Sequence, residues 1–180
     1  MISPVRTILC TAALAAAVLL ISADVHARAL EPVAGSLPAY SGPTDRICTC
    51  GDIEVEQKGR RITVRRGGKV LWELQKTVFS QDFFLDDLDR DGKSELVVLC
   101  WKRGRFGKRR PFWVTEDEKT WSQHIFIYEI NDAGVRPKWM ASDIGISVAA
   151  FDHADGVIYI TDTKGNVTDW IWGSWGLEKI

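Results

Sequence analysis

The sequence has almost no charge of one sign. Its 180 residues hold 23 lysines and arginines against 24 aspartates and glutamates. A dedicated nucleic-acid binder carries a strong positive excess, so that class is set aside. Histidine (3), cysteine (4) and methionine (2) are scarce. Cys48 and Cys50 form a Cys-x-Cys pair with no second ligand pair at zinc spacing, which argues against a structural zinc site. There is no G-x-S-x-G nucleophile turn and no phosphate loop. From residue 50 onward no helical period runs over three turns. What stands out instead is tryptophan, with eight residues beside three tyrosines.

The only long apolar run is at the N-terminus. Arg6 is the single charge before the 17 residues from Thr7 to Ala23. A basic start, an apolar centre and small residues at the end describe a secretory signal. Ala27-Arg28-Ala29 offers an A-x-A site, so residues 1–29 are expected to be removed, with Ala27 and Ala23 as other cleavage points. The expected location is periplasmic or secreted, and a membrane is a partner only if the segment stays uncleaved. A lipoprotein cysteine at Cys10 does not fit, because the apolar run follows it. Removal leaves 151 residues with a net charge of −2, enough chain to bury a core unaided. An exported chain permits disulfides. Cys48 and Cys50 are too close for an easy mutual bridge, and Cys100 could pair with either. One disulfide and one free thiol are expected.

Residues 30–50, with Pro32, Pro38 and Pro43, read as an irregular lead-in, and residues 51–180 as a single β domain. Short alternating runs are divided by turn chemistry. Ile53–Glu56, Arg61–Arg65 and Val70–Leu74 are separated by Lys58-Gly59 and Gly67-Gly68. Glu95–Trp101 is nearly continuously apolar, as a central strand would be. A hairpin with tryptophan on its return strand recurs at Ile62–Leu74, His124–Met140 and Val157–Trp172. In these a glycine (Gly68, Gly134, Gly165) precedes the tryptophan (Trp72, Trp139, Trp170) by four or five residues. The expected fold is mainly β: a partial or small propeller-like array of antiparallel hairpins, or else a β-sandwich. Open edges would favour a homo-oligomer.

One motif is specific. Asp87-Leu88-Asp89-Arg90-Asp91-Gly92-Lys93-Ser94-Glu95-Leu96 reads D-x-D-x-D-G-x-x-E-L. Alternate carboxylates in a tight loop converge on one point, and calcium wants six to eight oxygens at flexible geometry. The expected ligands are the side chains of Asp87, Asp89, Asp91 and Glu95, with the carbonyl of Lys93. It is not an EF-hand, since position 12 is Val98 and the flanks are strands. With Phe84-Leu85 upstream and Leu96–Leu99 downstream, it resembles the calcium loop of FG-GAP and VCBS repeats. That resemblance implies a propeller-type blade with a structural calcium between its first two strands. Phe151–Gly156 keeps only the last aspartate–glycine pair in register and reads as a degenerate turn.

The insert 102–122 is long for a compact domain, and such loops tend to carry function. Six of the nine residues Lys102–Arg110 are basic. Pro111-Phe112-Trp113, the acidic Glu116-Asp117-Glu118 and Trp121 follow. Arg105, Arg109, Phe112, Trp113 and Trp121 are the candidate contacts for an anionic polysaccharide or a protein surface. The alternative is a loop that pairs its own charges. His124, in the next strand, is a candidate acid–base residue. Trp170, Trp172 and Trp175 could cover the core or stack on sugars. The expected function is that of an exported, non-enzymatic, calcium-binding interaction module. The alternatives are a polysaccharide-binding module built on the insert and a small hydrolase with a site near His124.

Overall fold

The protein is described by a computed structural model covering residues 36–38, 45–104, 112–141 and 144–180. The expected signal segment, residues 1–29, lies outside the described residues. Among the described residues there is no helix long and apolar enough to cross a membrane.

Among the described residues, twelve strands form three four-stranded antiparallel sheets in chain order. Sheet A holds β1 (Asp45–Cys50), β2 (Ile53–Lys58), β3 (Arg61–Arg66) and β4 (Lys69–Glu73). Sheet B holds β5 (Val78–Asp86), β6 (Glu95–Arg103), β7 (Trp121–Asn131) and β8 (Gly134–Met140). Sheet C holds β9 (Val148–Ala154), β10 (Val157–Asp162), β11 (Val167–Trp172) and β12 (Leu177–Lys179). The fold is thus mainly β and propeller-like in its stacking, with no closed ring among the described residues. Asp45–Cys50, expected within the irregular lead-in, is strand β1. The expected turn at Phe151–Gly156 is the end of β9 and the tight turn into β10.

Sheet B is the middle layer. Leu96, Val98, Cys100, Phe126 and Tyr128 face sheet A, where they meet Val55, Ile62, Val64 and Leu74. Val97, Leu99, Ile125 and Ile127 face sheet C, where they meet Val148, Ile158 and Ile160. Side chains alternate across a strand, so a strand buried on both faces must be apolar at every position. That is why β6 lacks alternation while β2 and β3 keep it. Trp72 of sheet A lies 4.6 Å, centroid to centroid, from Tyr128 of sheet B. Trp139 of sheet B packs toward sheet C, and a Cβ on Gly176 would stand 2.2 Å from its indole nitrogen. Each tryptophan therefore presses onto the next sheet. The three expected hairpins are β3–β4, β7–β8 and β10–β11. The first two close their sheets, whereas the third is internal to sheet C.

The registers reveal where the ladders slip. Ser80 pairs with Cys100 and Asp82 with Leu99, leaving Gln81 unpaired in β5. Ile127 pairs with Trp139 and Tyr128 with Pro137, leaving Lys138 unpaired in β8. Such bulges re-aim a side chain. Gln81 Oε1 accepts from Trp101 Nε1 at 2.8 Å and from Gln123 Nε2 at 2.7 Å. Gln123 also donates to the Val148 carbonyl and accepts the Val148 N–H at 2.7 Å. It thereby serves the backbone of β9 as a strand neighbour would.

The three cysteines among the described residues are free thiols: Cys50 exposed, Cys48 half-buried and Cys100 buried. The expected disulfide is not formed. Cys100 faces the core between sheets A and B and donates to the His124 carbonyl at 3.6 Å. Cys50 stays at the exposed end of β1, its Sγ 3.6 Å from Ser94 Oγ.

Gln123→Leu keeps the volume but leaves both Val148 backbone groups without their partner. The expected loss is about 2–3 kcal/mol, read as a lower urea midpoint at unchanged slope. A shift below about 0.5 kcal/mol would show that the glutamine is dispensable.

Candidate functional site

The aspartate loop joins β5 to β6. Arg90 at φ 61° and Gly92 at φ 87° turn the chain sharply, the glycine at no steric cost. Asp87, Asp89 and Glu95 each bring a carboxylate oxygen within 4.8 Å of the other two. This acidic cluster could hold a metal ion. Asp87 also orders the loop, accepting the Asp91 N–H at 3.0 Å and the Gly92 N–H at 2.9 Å. Glu95 is buried and accepts the Leu88 N–H at 3.0 Å.

Asp91 stands outside this cluster. Asp91 is exposed and turns back to accept the Lys93 N–H at 2.8 Å, a local turn that competes with convergence. Lys93 lies at the same exposed tip. The cluster holds three of the four expected carboxylates.

A residue that the loop pattern does not reveal completes the site. Lys138 Nζ lies 2.5 Å from Asp89 Oδ2 and 2.7 Å from Glu95 Oε1. It also sits 5.3 Å from the Trp172 ring centroid of sheet C. The bulge in β8 is what aims it there. Burial pushes the Glu95 carboxyl above its usual range, against the opposing pull of Lys138 and the Leu88 N–H. Burial works to lower the Lys138 ammonium, but its bonds to Asp89 and Glu95 outweigh it and raise it. Asp89 Oδ1 is buried with no hydrogen-bond partner among the described residues. That oxygen is an unused acceptor of the kind a cation takes.

Asp86, just before the loop, ties it to sheet C. Its Oδ2 lies 3.1 Å from His153 Nδ1 and accepts the Gly156 N–H at 3.3 Å. The His153 ring stacks on Phe84 at 4.0 Å. The Asp155-Gly156 turn therefore braces the loop, and no carboxylate of that segment joins the cluster.

The insert is shorter than expected. β6 runs to Arg103 and β7 starts at Trp121, so Trp121 belongs to the sheet. Arg105 and Arg109 lie outside the described residues. Phe112 (94% exposed) and Trp113 (70%) meet edge to face at 4.8 Å. The acidic end of the insert folds back on its start: a Cβ on Gly104 would stand 2.4 Å from Asp117 Oδ2.

His124 is fully buried. Its Nδ1 lies 3.0 Å from the Ala141 carbonyl, which can only accept, so Nδ1 carries the proton. Nε2 then accepts the Ser122 hydroxyl at 2.9 Å. Both ring nitrogens are engaged within the protein, as in a packed, hydrogen-bonded histidine.

Known proteins supply no analogy: no family model, characterised protein or solved structure matches the chain.

Lys138→Met removes two charge-assisted bonds, and the expected loss at pH 7 is about 1.5–3 kcal/mol. The sign with pH follows from the raised ammonium. Its contribution is complete below the unfolded value of about 10.4 and fades as pH rises through the higher folded value. Thermal melts from neutral to strongly alkaline pH should show wild type and variant converging. A constant gap across that range would refute the assignment.

Proposed function

We propose that the chain is an exported, non-enzymatic interaction module whose Asp87–Glu95 loop takes up calcium. This reading joins the secretory pattern of residues 1–29 to the resemblance of the loop to FG-GAP and VCBS repeats. The observation that carries it is the convergence of Asp87, Asp89 and Glu95 on one point, with Asp89 Oδ1 buried and unpartnered among the described residues. Hard carboxylate oxygens suit calcium, and water would complete its shell. Calcium would take the place that the Lys138 ammonium now holds, and Lys138, one-fifth exposed, can turn outward. The ion would fasten the β5–β6 loop close to sheet C, a structural role without chemistry. The enclosed ring of His124 supports a binding function over a hydrolytic one.

Calorimetric titration tests this. Calcium is expected to bind the wild type with a Kd near or below about 1 mM, as in extracellular modules. It should bind Lys138→Met at least ~10-fold more tightly, because the competing charge is gone, and Glu95→Gln more weakly than either. Absence of binding in both wild type and Lys138→Met would sink the proposal.

A further inference from the structure

A second site lies at the other end of sheet B, away from the aspartate loop. Lys76, Thr77, Phe79, Lys102, Arg103 and Trp121 line an open cleft of about 480 Å³. Its walls are apolar and its charge is of one sign. Phe79 and Trp121 meet edge to face at 5.4 Å. The Arg103 guanidinium lies 4.9 Å from the Trp121 ring centroid. Lys102 donates to the Gly104 carbonyl at 3.1 Å, which leaves two of its three ammonium protons for another acceptor. Lys76 and Thr77 are exposed. No carboxylate is among the described lining residues, and Asp117 lies against Gly104.

The geometry points to this cleft as a binding site for an acidic oligosaccharide, a pyranose chain carrying carboxylate groups. The size suits a few small units, within the roughly 300–1,000 Å³ of small-ligand sites. A pyranose ring would present a C–H patch to the aromatic wall of Phe79 and Trp121, hydroxyls to Thr77, and its carboxylate to Lys76 and Lys102. Between polyanions, the reading of the chain as an exported module favours an acidic polysaccharide over a nucleic acid. An anionic lipid needs a deep apolar channel, whereas the cations here rim an open cleft. This proposal rests on the reading of the chain as an interaction module but not on calcium. It names the partner class and puts it on a surface that takes Lys102, Arg103 and Trp121 from the expected insert and adds Lys76, Thr77 and Phe79.

The test uses the full chain and oligogalacturonate as probe. Calorimetry is run against the acid, its methyl ester, a single-stranded oligonucleotide and a poly-glutamate peptide of matched charge. The acid is expected to bind, with its methyl ester at least ~10-fold weaker. Binding should fall at least ~10-fold in Lys76→Gln/Lys102→Gln, a surface pair whose folding is checked by its thermal melt. Trp121→Phe should weaken the acid less, since it keeps an aromatic wall. Equal binding of acid and ester, undiminished binding by the double variant, no binding of the acid, or tighter binding of the oligonucleotide or peptide would each overturn the proposal. Calcium titration of the same preparation is independent, so failure here leaves the aspartate-loop reading standing.

Discussion

Burial of sheet B on both faces is the constraint from which the rest follows. Its two inner strands, β6 and β7, send alternate residues into two separate cores. Any polar group there loses water and must find a partner within the protein, since an unmet buried group costs about 1–3 kcal/mol. Ser80 meets this demand through Gln57 of sheet A at 2.7 Å. Gln81 and Gln123 meet it on the side of sheet C. Charged groups pair away from the two cores: Arg46 of β1 reaches Asp82 of β5 at 2.8 Å, and Arg65 of β3 reaches Glu56 of β2 at 2.6 Å. The aspartate loop and the cleft lie at opposite ends of sheet B.

Bulges are the means by which a regular sheet delivers irregular chemistry. At Gln81 the slip directs an amide into the interface with sheet C. At Lys138 it directs an ammonium against the aspartate loop. A third slip leaves Leu71 unpaired just before Trp72, in the same relation as Lys138 to Trp139. The two tryptophans thus leave their fourth strands at corresponding places, each toward the following sheet. Stacking and site-building are consequences of one local distortion.

Much of this was legible in the sequence, and the failures have physical causes. The alternating runs of β2 and β3 and the unbroken apolar run of β6 announce themselves, because burial on one or two faces writes a period of two or none. β5 escapes because Gln81 shifts its alternation midway. β1 escapes because it follows a proline-rich stretch, and β9 because its acids and histidine imitate a loop. The carboxylate spacing identified Asp87, Asp89 and Glu95. It could not show that Asp91 would spend its side chain on the Lys93 N–H. Lys138 was beyond reach, since its aim depends on a register slip 43 residues from Glu95.

Lys138, set against the loop from β8, has a consequence for where the protein can respond to its surroundings. A cation tethered by its own strand competes at an effective concentration of the millimolar order, as linked groups do. An ion from solution must exceed that internal threshold before it exchanges with the side chain. In dilute surroundings the carboxylates keep a permanent counter-ion and the layers stay fastened. On the proposed uptake of calcium, an ion-rich medium would release the same ammonium and turn a fixed charge into a mobile one beside the Trp172 ring. The tether would then act as an ionic fuse, set by chain geometry, between two arrangements of one surface.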